Sequence, residues 1–139
     1  MIAKGKNGKE KEFVETEPRH INHHESVLQQ SCKRWFDLQY PQFSKLLFAV
    51  PNGGWRSKAE AVIMRREGVV AGVADMILLM PRGGYASLCI EFKTRVGRIT
   101  KQRDSQIEWQ RVAEREGNKY IVVRSVEDFI ANVKKYLRG

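Results

Sequence analysis

The sequence predicts an α/β (α+β) domain in which a central, mixed four-stranded sheet is flanked by helices. Segments with apolar residues at helical spacing alternate with short apolar runs of strand length, and turns rich in glycine and proline separate them. The resulting order is α-β-α-β-β-α-β-α. Residues 1–20 are polar, mixed in charge and without periodicity, so we expect a flexible arm there. A single domain is expected over residues 21–139.

The first helix is expected from His23 to Gln39. Pro41 closes this segment, because proline lacks a backbone donor and its ring clashes with a preceding helical turn. The residues that share one side of the helix are Leu28, Cys32, Trp35, Phe36 and Gln39. A short apolar strand follows from Leu46 to Val50, and Pro51-Asn52-Gly53-Gly54 is a strong turn signal after it.

A second helix is expected from Ser57 to Glu67. Ser57 and Glu60 have the spacing of a capping box, in which each side chain bonds the backbone N–H of the other residue. Gly68 suits the exit position, where the chain often turns left-handed.

Two strands joined by a tight turn are expected next. The run from Asp75 to Met80 is nearly all apolar, as in a strand covered on both faces. The turn Pro81-Arg82-Gly83-Gly84 follows, and Ala86 to Lys93 forms the returning strand.

The C-terminal third is predicted to be helix, strand and helix. Residues 102–116 form the third helix, Lys119 to Arg124 form a strand with an Ile-Val-Val centre, and Ser125 starts the last helix. The amphipathic stripe of that last helix contains Val126, Phe129, Ile130, Val133 and Leu137.

The net charge indicates the class of partner. The chain has 25 Lys and Arg against 16 Asp and Glu, a formal charge of +9 and a pI near 9.8. Such an excess attracts polyanions, so nucleic acid is the leading partner and an anionic membrane the second. The plain alternative is a soluble protein that is merely basic.

The two cysteines, Cys32 and Cys89, lie in apolar runs and make no disulfide framework. A reducing, cytoplasmic setting fits this usage. We expect no secretory signal, and no apolar run approaches the ~18 residues that suggest a membrane span.

The returning strand carries the first candidate site residues. Side chains alternate between the two faces of a strand, so Cys89, Glu91 and Lys93 share one face. An acid and a base then project side by side from a strand too apolar to be exposed, and burying either one unpaired would be costly. The ordinary alternative is a Glu–Lys pair at a frayed strand end.

Asp75 favours a functional site over an ordinary Glu–Lys pair, because it stands where the preceding strand begins. If the two strands pair through the Gly83-Gly84 turn, Asp75 comes close to Glu91. Two carboxylates held together repel each other unless a cation lies between them. Mg²⁺ binds through one or two carboxylates, so we expect a Mg²⁺ site, with Mn²⁺ as a possible substitute. The metal would activate a water, and Lys93 would orient that water or stabilise charge developing on the phosphate.

These residues resemble the PD-(D/E)xK nuclease superfamily, in which an Asp opens one strand and Glu-x-Lys follows on the next. Asp75 and Glu91-Phe92-Lys93 carry that resemblance. A wider pattern, from about Glu25 to Tyr120, is similar to the virus-type replication-repair nuclease (VRR-NUC) branch and implies a restriction-endonuclease-like core. Its further pieces are Pro51-Asn52-Gly53-Gly54, Gly68, Gly72-Val73-Ala74, Gln106 and Trp109. Ala74 stands where the superfamily name has Pro.

The resemblance implies further site residues. Glu25 would be an acid supplied by the first helix, although it also has the spacing of a capping residue three positions after Asn22. Gln106 would approach from the third helix, and the alternative is a solvated helix glutamine. The implied metal ligands are Asp75, Glu91 and the backbone carbonyl of Phe92.

Basic residues are concentrated around these motifs in the sequence. We expect them to follow the phosphate backbone and to set affinity and salt dependence rather than base reading. A solvated loop is the ordinary fate of such a run. The candidate DNA-binding residues are Arg56, Lys58, Arg65, Arg66, Arg95, Arg98, Lys101 and Arg103.

The resemblance implies a Mg²⁺-dependent endodeoxyribonuclease that cuts branched DNA, such as Holliday junctions, during DNA repair in a bacterial or phage-infected cell. Stand-alone members are often symmetric dimers, and Ile107, roughly opposite Trp109 on its helix, is a candidate interface residue. The alternatives are a flap-cutting or restriction-like DNA nuclease and a catalytically inactive DNA-binding module.

Overall fold

The fold follows the predicted order of helices and strands, with one addition. The computed structural model describes residues 23–51, 57–94 and 101–139, so the arm expected over residues 1–20 lies outside the described residues and stays a prediction. A 3₁₀ helix (Pro41–Leu46) separates the first helix from the first strand. The elements are α1 (His23–Gln39), β1 (Leu47–Ala49), α2 (Lys58–Arg66), β2 (Met76–Leu78), β3 (Leu88–Phe92), α3 (Lys101–Arg115), β4 (Lys119–Val123) and α4 (Val126–Arg138).

The four strands form one mixed sheet in the order β1-β2-β3-β4. The β1–β2 and β2–β3 pairs are antiparallel, while β3 and β4 are parallel. Helix α3 lies between β3 and β4 in the chain and provides the crossover that a parallel pair requires. The predicted α+β class, with its mixed four-stranded sheet, is therefore confirmed.

One face of the sheet packs against α1 and α4 to form the hydrophobic core. Phe129 of α4 is central to this core, with its ring centroid 6.2 Å from that of Phe92 and 6.1 Å from that of Trp35. Tyr136, which the predicted stripe of α4 omitted, buries its ring and donates a hydrogen bond to the Met80 carbonyl at 2.7 Å. The fully buried residues on the sheet side are Leu47, Met76, Leu78, Leu88, Ile90, Phe92 and Val123.

Helix α3 packs against the opposite side of the sheet. The ring centroids of Trp109 and Tyr120 are 6.3 Å apart, and Ala113 is buried one turn further along the helix. Asn118, in the turn that leads into β4, donates to the Ala113 carbonyl at 3.0 Å and accepts from the Ser87 hydroxyl at 2.7 Å. These contacts hold α3 against β3 and β4.

Helix α2 belongs to a compact unit separate from the one that contains the sheet. The capping box is confirmed, since Glu60 N donates to the Ser57 hydroxyl at 3.1 Å and Ser57 N donates to the Glu60 carboxylate at 3.0 Å. Gly68 follows the helix with a φ of 107°, as its exit position requires. Helix α2 has no buried residue. Neither α2 nor any other described helix is long and apolar enough to cross a membrane.

Gly72 brings the segment before β2 against the start of α3. Its φ is 86°, in the left-handed region that favours glycine. A Cβ at this position would overlap the backbone carbonyl of Ser105 and would lie 2.8 Å from the backbone nitrogen of Gln106. The missing side chain therefore lets the chain that leads to Asp75 touch the turn of α3 that carries Gln106.

We expect Gly72→Ala to lower the free energy of unfolding more than Gly84→Ala does. Both glycines have a φ of 86°, so alanine pays the left-handed penalty of about 1–2 kcal/mol at either position. Gly84 has open space around its Cα, whereas at Gly72 the backbone clash adds roughly 1–3 kcal/mol. Urea denaturation of both variants measures the difference, and equal losses would mean that α3 can move away from Gly72 at no cost.

Candidate active site

Asp75 is fixed where β2 begins. Continuing the register of Met76 with Ile90 places Asp75 opposite Glu91. The backbone carbonyl of Asp75 accepts a hydrogen bond from Val50 N at 2.8 Å, and its Oδ2 accepts one from Phe92 N at 2.8 Å. The side chain thus satisfies a backbone donor of β3 at the end of the β2–β3 ladder, which gives the carboxylate a defined orientation.

Glu91 is a buried acid without enough partners. Its side chain is only 5% exposed, and its Oε2 lies 3.5 Å from Lys93 Nζ. Its Oε1 is buried and has no hydrogen-bond partner in the part of the chain that the structure describes. Burial, and after it the negative charge of Asp75, raise the pKa of Glu91 to about 8 against the opposing effect of Lys93.

The pKa of Asp75 is raised as well. Burial is the main cause, and the negative charge of Glu25 adds to it, while the hydrogen bond from Phe92 N and the charge of Lys93 oppose the shift. Asp75 and Glu91 therefore titrate as a linked pair, in which ionising one carboxyl makes ionising the other harder.

Lys93 lies at the border between this acidic pair and solvent. Its side chain is 30% exposed, and its ammonium donates a hydrogen bond to Gln106 Oε1 at 3.2 Å. Gln106 is half-buried on α3 and bonded to Lys93, so it is not a freely solvated glutamine. The structure therefore brings Lys93, just after β3, into contact with Gln106 on α3.

Glu25 reaches the same end of the sheet from the first turn of α1. It is half-buried, and its Oε2 accepts a hydrogen bond from Thr94 N at 3.3 Å, directly after Lys93. Its negative charge also contributes to the raised pKa of Asp75. The alternative capping role involves Asn22, which lies outside the described residues.

The acidic pair fits a divalent cation. Across residues 23–51, 57–94 and 101–139, no three His, Cys, Asp or Glu side chains converge as a ready-made metal site. Asp75 and Glu91 nevertheless supply two carboxylates, the number that Mg²⁺ commonly takes from a protein. The orphaned Oε1 of Glu91 and the raised pKa of both acids indicate that the pair lacks positive charge. A ligand role for the Phe92 carbonyl stays a prediction.

Tyr120 lies near these residues and was missed in the sequence. It stands opposite Cys89 in the β3–β4 register, so its side chain shares the sheet face of Cys89 and Glu91. Burial raises the pKa of Tyr120, and the charges of Glu91 and Asp75 raise it further. Its proximity depends on the register of a parallel strand pair, for which the sequence offers no local signal.

The candidate DNA-binding residues are only partly within the described residues. Lys58, Arg65 and Arg66 are exposed on α2, and Arg103 is exposed in the first turn of α3. Lys101 begins α3, while Arg56, Arg95 and Arg98 lie outside the described residues. Ile107, the candidate interface residue, is 42% exposed on α3.

Comparison with known proteins identifies the fold. No protein-family model and no curated protein matches the chain. Among solved structures, a VRR_NUC domain protein superimposes with a TM-score of 0.65 and 24% sequence identity, over 82% of this chain and 88% of that one. The chain therefore has a VRR-NUC fold, as the motifs had implied.

We expect the metal-free protein to become less stable as the pH rises from about 4.5 to about 8. The folded-state pKa of Glu91, about 8, lies above its ordinary value of 4.5, so in this interval the folded protein holds a proton that the unfolded chain has released. The free energy of unfolding is then highest at the acidic end of the interval and falls as Glu91 ionises.

Urea denaturation in EDTA at pH 5, 6, 7 and 8 measures this dependence. Glu91→Gln should flatten it, because glutamine has no proton to lose. Glu127→Gln, an exposed residue in the first turn of α4, is the matched control and should follow the wild type. A Glu91→Gln variant with the same pH dependence as the wild type would contradict the assignment.

Proposed function

We propose that this protein is a metal-dependent DNA endonuclease with Asp75, Glu91 and Lys93 at its active centre. The observation that carries the proposal is the convergence of a half-buried and a buried carboxyl with one ammonium where β2 begins and β3 ends, with Glu25 and Gln106 bonded beside them. The VRR-NUC fold and the net charge of +9 support it.

Asp75 and Glu91 are the proposed ligands of a Mg²⁺ ion, with Mn²⁺ as a possible substitute and the Phe92 carbonyl as a third donor. Such an ion would supply positive charge for the phosphate and lower the pKa of a water. Both carboxyls are oriented before a metal binds: Phe92 N donates a hydrogen bond to Asp75, and burial restricts the Glu91 side chain. Bringing a cation to this pair relieves a repulsion that already exists in the folded chain.

Lys93 is proposed to act on the phosphate or on the attacking water. An ammonium has three donors. One bonds Gln106 Oε1 at 3.2 Å and a second faces Glu91 Oε2 at 3.5 Å, which leaves a third for a substrate oxygen. Gln106 thereby aims the ammonium, and Lys93 can stabilise charge that develops on the phosphate as the bond breaks.

Glu25 is proposed to complete the site by fixing the end of β3. Its bond to Thr94 N holds the backbone just after Lys93. Its carboxylate also adds negative charge near Asp75, and this charge favours the binding of a cation at the site.

DNA is the proposed substrate, held through its phosphates. The exposed Lys58, Arg65, Arg66 and Arg103 can neutralise phosphate charge, and we assign the same role to Arg56, Arg95, Arg98 and Lys101. A binding protein without catalytic activity would gain nothing from two adjacent acids beside a phosphate backbone, so cleavage is the better account of the site.

Branched DNA, in particular a Holliday junction, is the proposed preferred substrate, and a homodimer is the proposed assembly. A two-fold dimer would present two sites to the two strands of a symmetric junction. Ile107, exposed on α3, is our candidate contact between the two copies. Flap-cutting or restriction-like cleavage would use the same catalytic residues.

We expect Mg²⁺-dependent cleavage that Glu91→Gln reduces by at least a hundredfold without weakening DNA binding. The variant keeps the size of the side chain and removes a negative charge near the phosphates, so affinity is unchanged or higher. The assay uses a labelled four-way junction and a linear duplex of matched sequence, each with Mg²⁺, Mn²⁺ or EDTA. Glu127→Gln is the control and should cut like the wild type.

The outcomes separate the proposed nuclease activity from the proposed preference for junctions. Cutting of the junction alone, lost in Glu91→Gln, supports junction resolution. Equal cutting of both DNAs retains the nuclease and removes the junction preference. A Glu91→Gln variant with a normal rate would overturn the active-site assignment, and no cutting with either metal would favour the DNA-binding module.

We expect Arg65→Ala/Arg66→Ala to weaken binding of all DNAs and to reduce the salt slope. If both side chains contact phosphates, the slope of log K against log salt should fall by about 1.8, since each contact contributes about 0.9 for duplex DNA. Lys134→Ala/Lys135→Ala, on exposed residues of α4, changes the net charge by the same amount. Equal effects of the two double variants in an anisotropy titration would show that net charge matters and that α2 makes no specific phosphate contact.

A further inference from the structure

Tyr120 occupies a distinct place beside the proposed active site. It lies on β4 opposite Cys89, and its side chain projects from the sheet face that also presents Glu91. Residue Val122, two positions further along β4, stands directly opposite Glu91. The Tyr120 side chain is therefore a diagonal neighbour of Glu91, one step further from the end of the sheet at which the acidic pair lies.

Helix α3 fixes the ring of Tyr120. The Trp109 ring packs against it with centroids 6.3 Å apart and an interplanar angle of 54°. Gln106, which bonds Lys93, lies one turn earlier on the same helix. One helix thus positions both Lys93 and Tyr120 over the sheet face that carries the acids.

The Tyr120 hydroxyl is available to a ligand. Tyr136, by contrast, uses its hydroxyl to bond the Met80 carbonyl at 2.7 Å. No hydrogen bond within the described residues occupies the Tyr120 hydroxyl, and the side chain is half-buried rather than sealed in the core. Its burial and the nearby carboxylates raise the pKa of Tyr120, so the phenol keeps its proton and acts as a donor.

A neutral donor suits the chemistry of this position. The acidic pair repels an incoming phosphate, and Lys93 is the cation that the structure places in contact with Glu91. A phenol can bond a phosphate oxygen without adding negative charge. It also adds no positive charge that would compete with a divalent cation for the two carboxylates.

We propose that the Tyr120 hydroxyl donates a hydrogen bond to a nonbridging oxygen of the scissile DNA phosphate that Lys93 contacts. This inference rests on the proposed nuclease function and extends its site from β3 to β4. Tyr120 is thereby a phosphate-contacting residue, and its ring contact with Trp109 sets the direction from which the hydroxyl approaches.

Tyr120→Phe tests the contact, because it removes the hydroxyl and keeps the ring against Trp109. Loss of a hydrogen bond to a charged oxygen should slow single-turnover cleavage at saturating DNA by roughly 10- to 100-fold. Tyr85→Phe is the matched control: Tyr85 lies in the β2–β3 turn, with Lys119 Nζ 5.1 Å from its ring centroid, and should cut within about twofold of the wild type. Thermal melting of all three proteins checks that the fold is unchanged.

A sulfur substitution at the scissile phosphate separates contact from structural support. DNAs that carry sulfur at one or the other nonbridging oxygen are cut by wild type and by Tyr120→Phe. If the hydroxyl bonds one of these oxygens, sulfur at that oxygen should slow the wild type several-fold more than the variant. Sulfur effects of equal size in both proteins, for both isomers, would overturn the proposal.

A binding measurement keeps the two proposals distinguishable. In a Glu91→Gln background, anisotropy with the labelled junction and Mg²⁺ measures affinity without requiring cleavage. Adding Tyr120→Phe should weaken binding several-fold, whereas adding Tyr85→Phe should not. A wild-type protein that cuts no DNA would defeat the nuclease proposal, and the binding result would still decide whether Tyr120 contacts phosphate. Equal affinities would reject that contact.

Discussion

The architecture at one end of the sheet is governed by two adjacent carboxyls, one buried and one half-buried, that lack compensating charge. Asp75 and Glu91 face each other where β2 begins and β3 ends, and burial raises the pKa of both, with the charge of Glu25 adding to the shift at Asp75 and the charge of Asp75 adding to the shift at Glu91. Two nearby groups partly stabilise these carboxyls: the Lys93 ammonium lies 3.5 Å from Glu91 Oε2, and Phe92 N donates a hydrogen bond to Asp75. A divalent cation would supply the positive charge that these two carboxyls lack, which is why we propose a metal-dependent site there.

The rest of the fold keeps these groups in place. The core of α1, α4 and one sheet face helps to bury β3 along its whole length, so the side chain of Glu91 has little freedom. On the other face, α3 approaches closely enough to bond Lys93 through Gln106, and the missing side chain of Gly72 permits that approach. Positioning by buried strands suits a site whose groups must be oriented before the substrate arrives.

Much of the fold was predictable because its signals are local. The helical stripes of α1 and α4 and the caps at Ser57 and Ser125 depend on residues within a few positions of one another. The errors were local too: the strands are shorter than expected, and the 3₁₀ helix after Pro41 was missed. The ends of a short strand depend on where the adjacent strands stop pairing with it, so a sequence pattern locates the centre of such a strand better than its ends.

The sequence by itself determined that Asp75, Glu91 and Lys93 would meet, because a hairpin and the two-residue period of a strand suffice to bring them together. Only the tertiary structure decided the rest of the site. Glu25 and Thr94 are separated by 69 residues, and Lys93 and Gln106 meet across the connection between β3 and α3. Tyr120 enters through the parallel register of β3 with β4, which is set by how α3 packs and by no turn in the sequence.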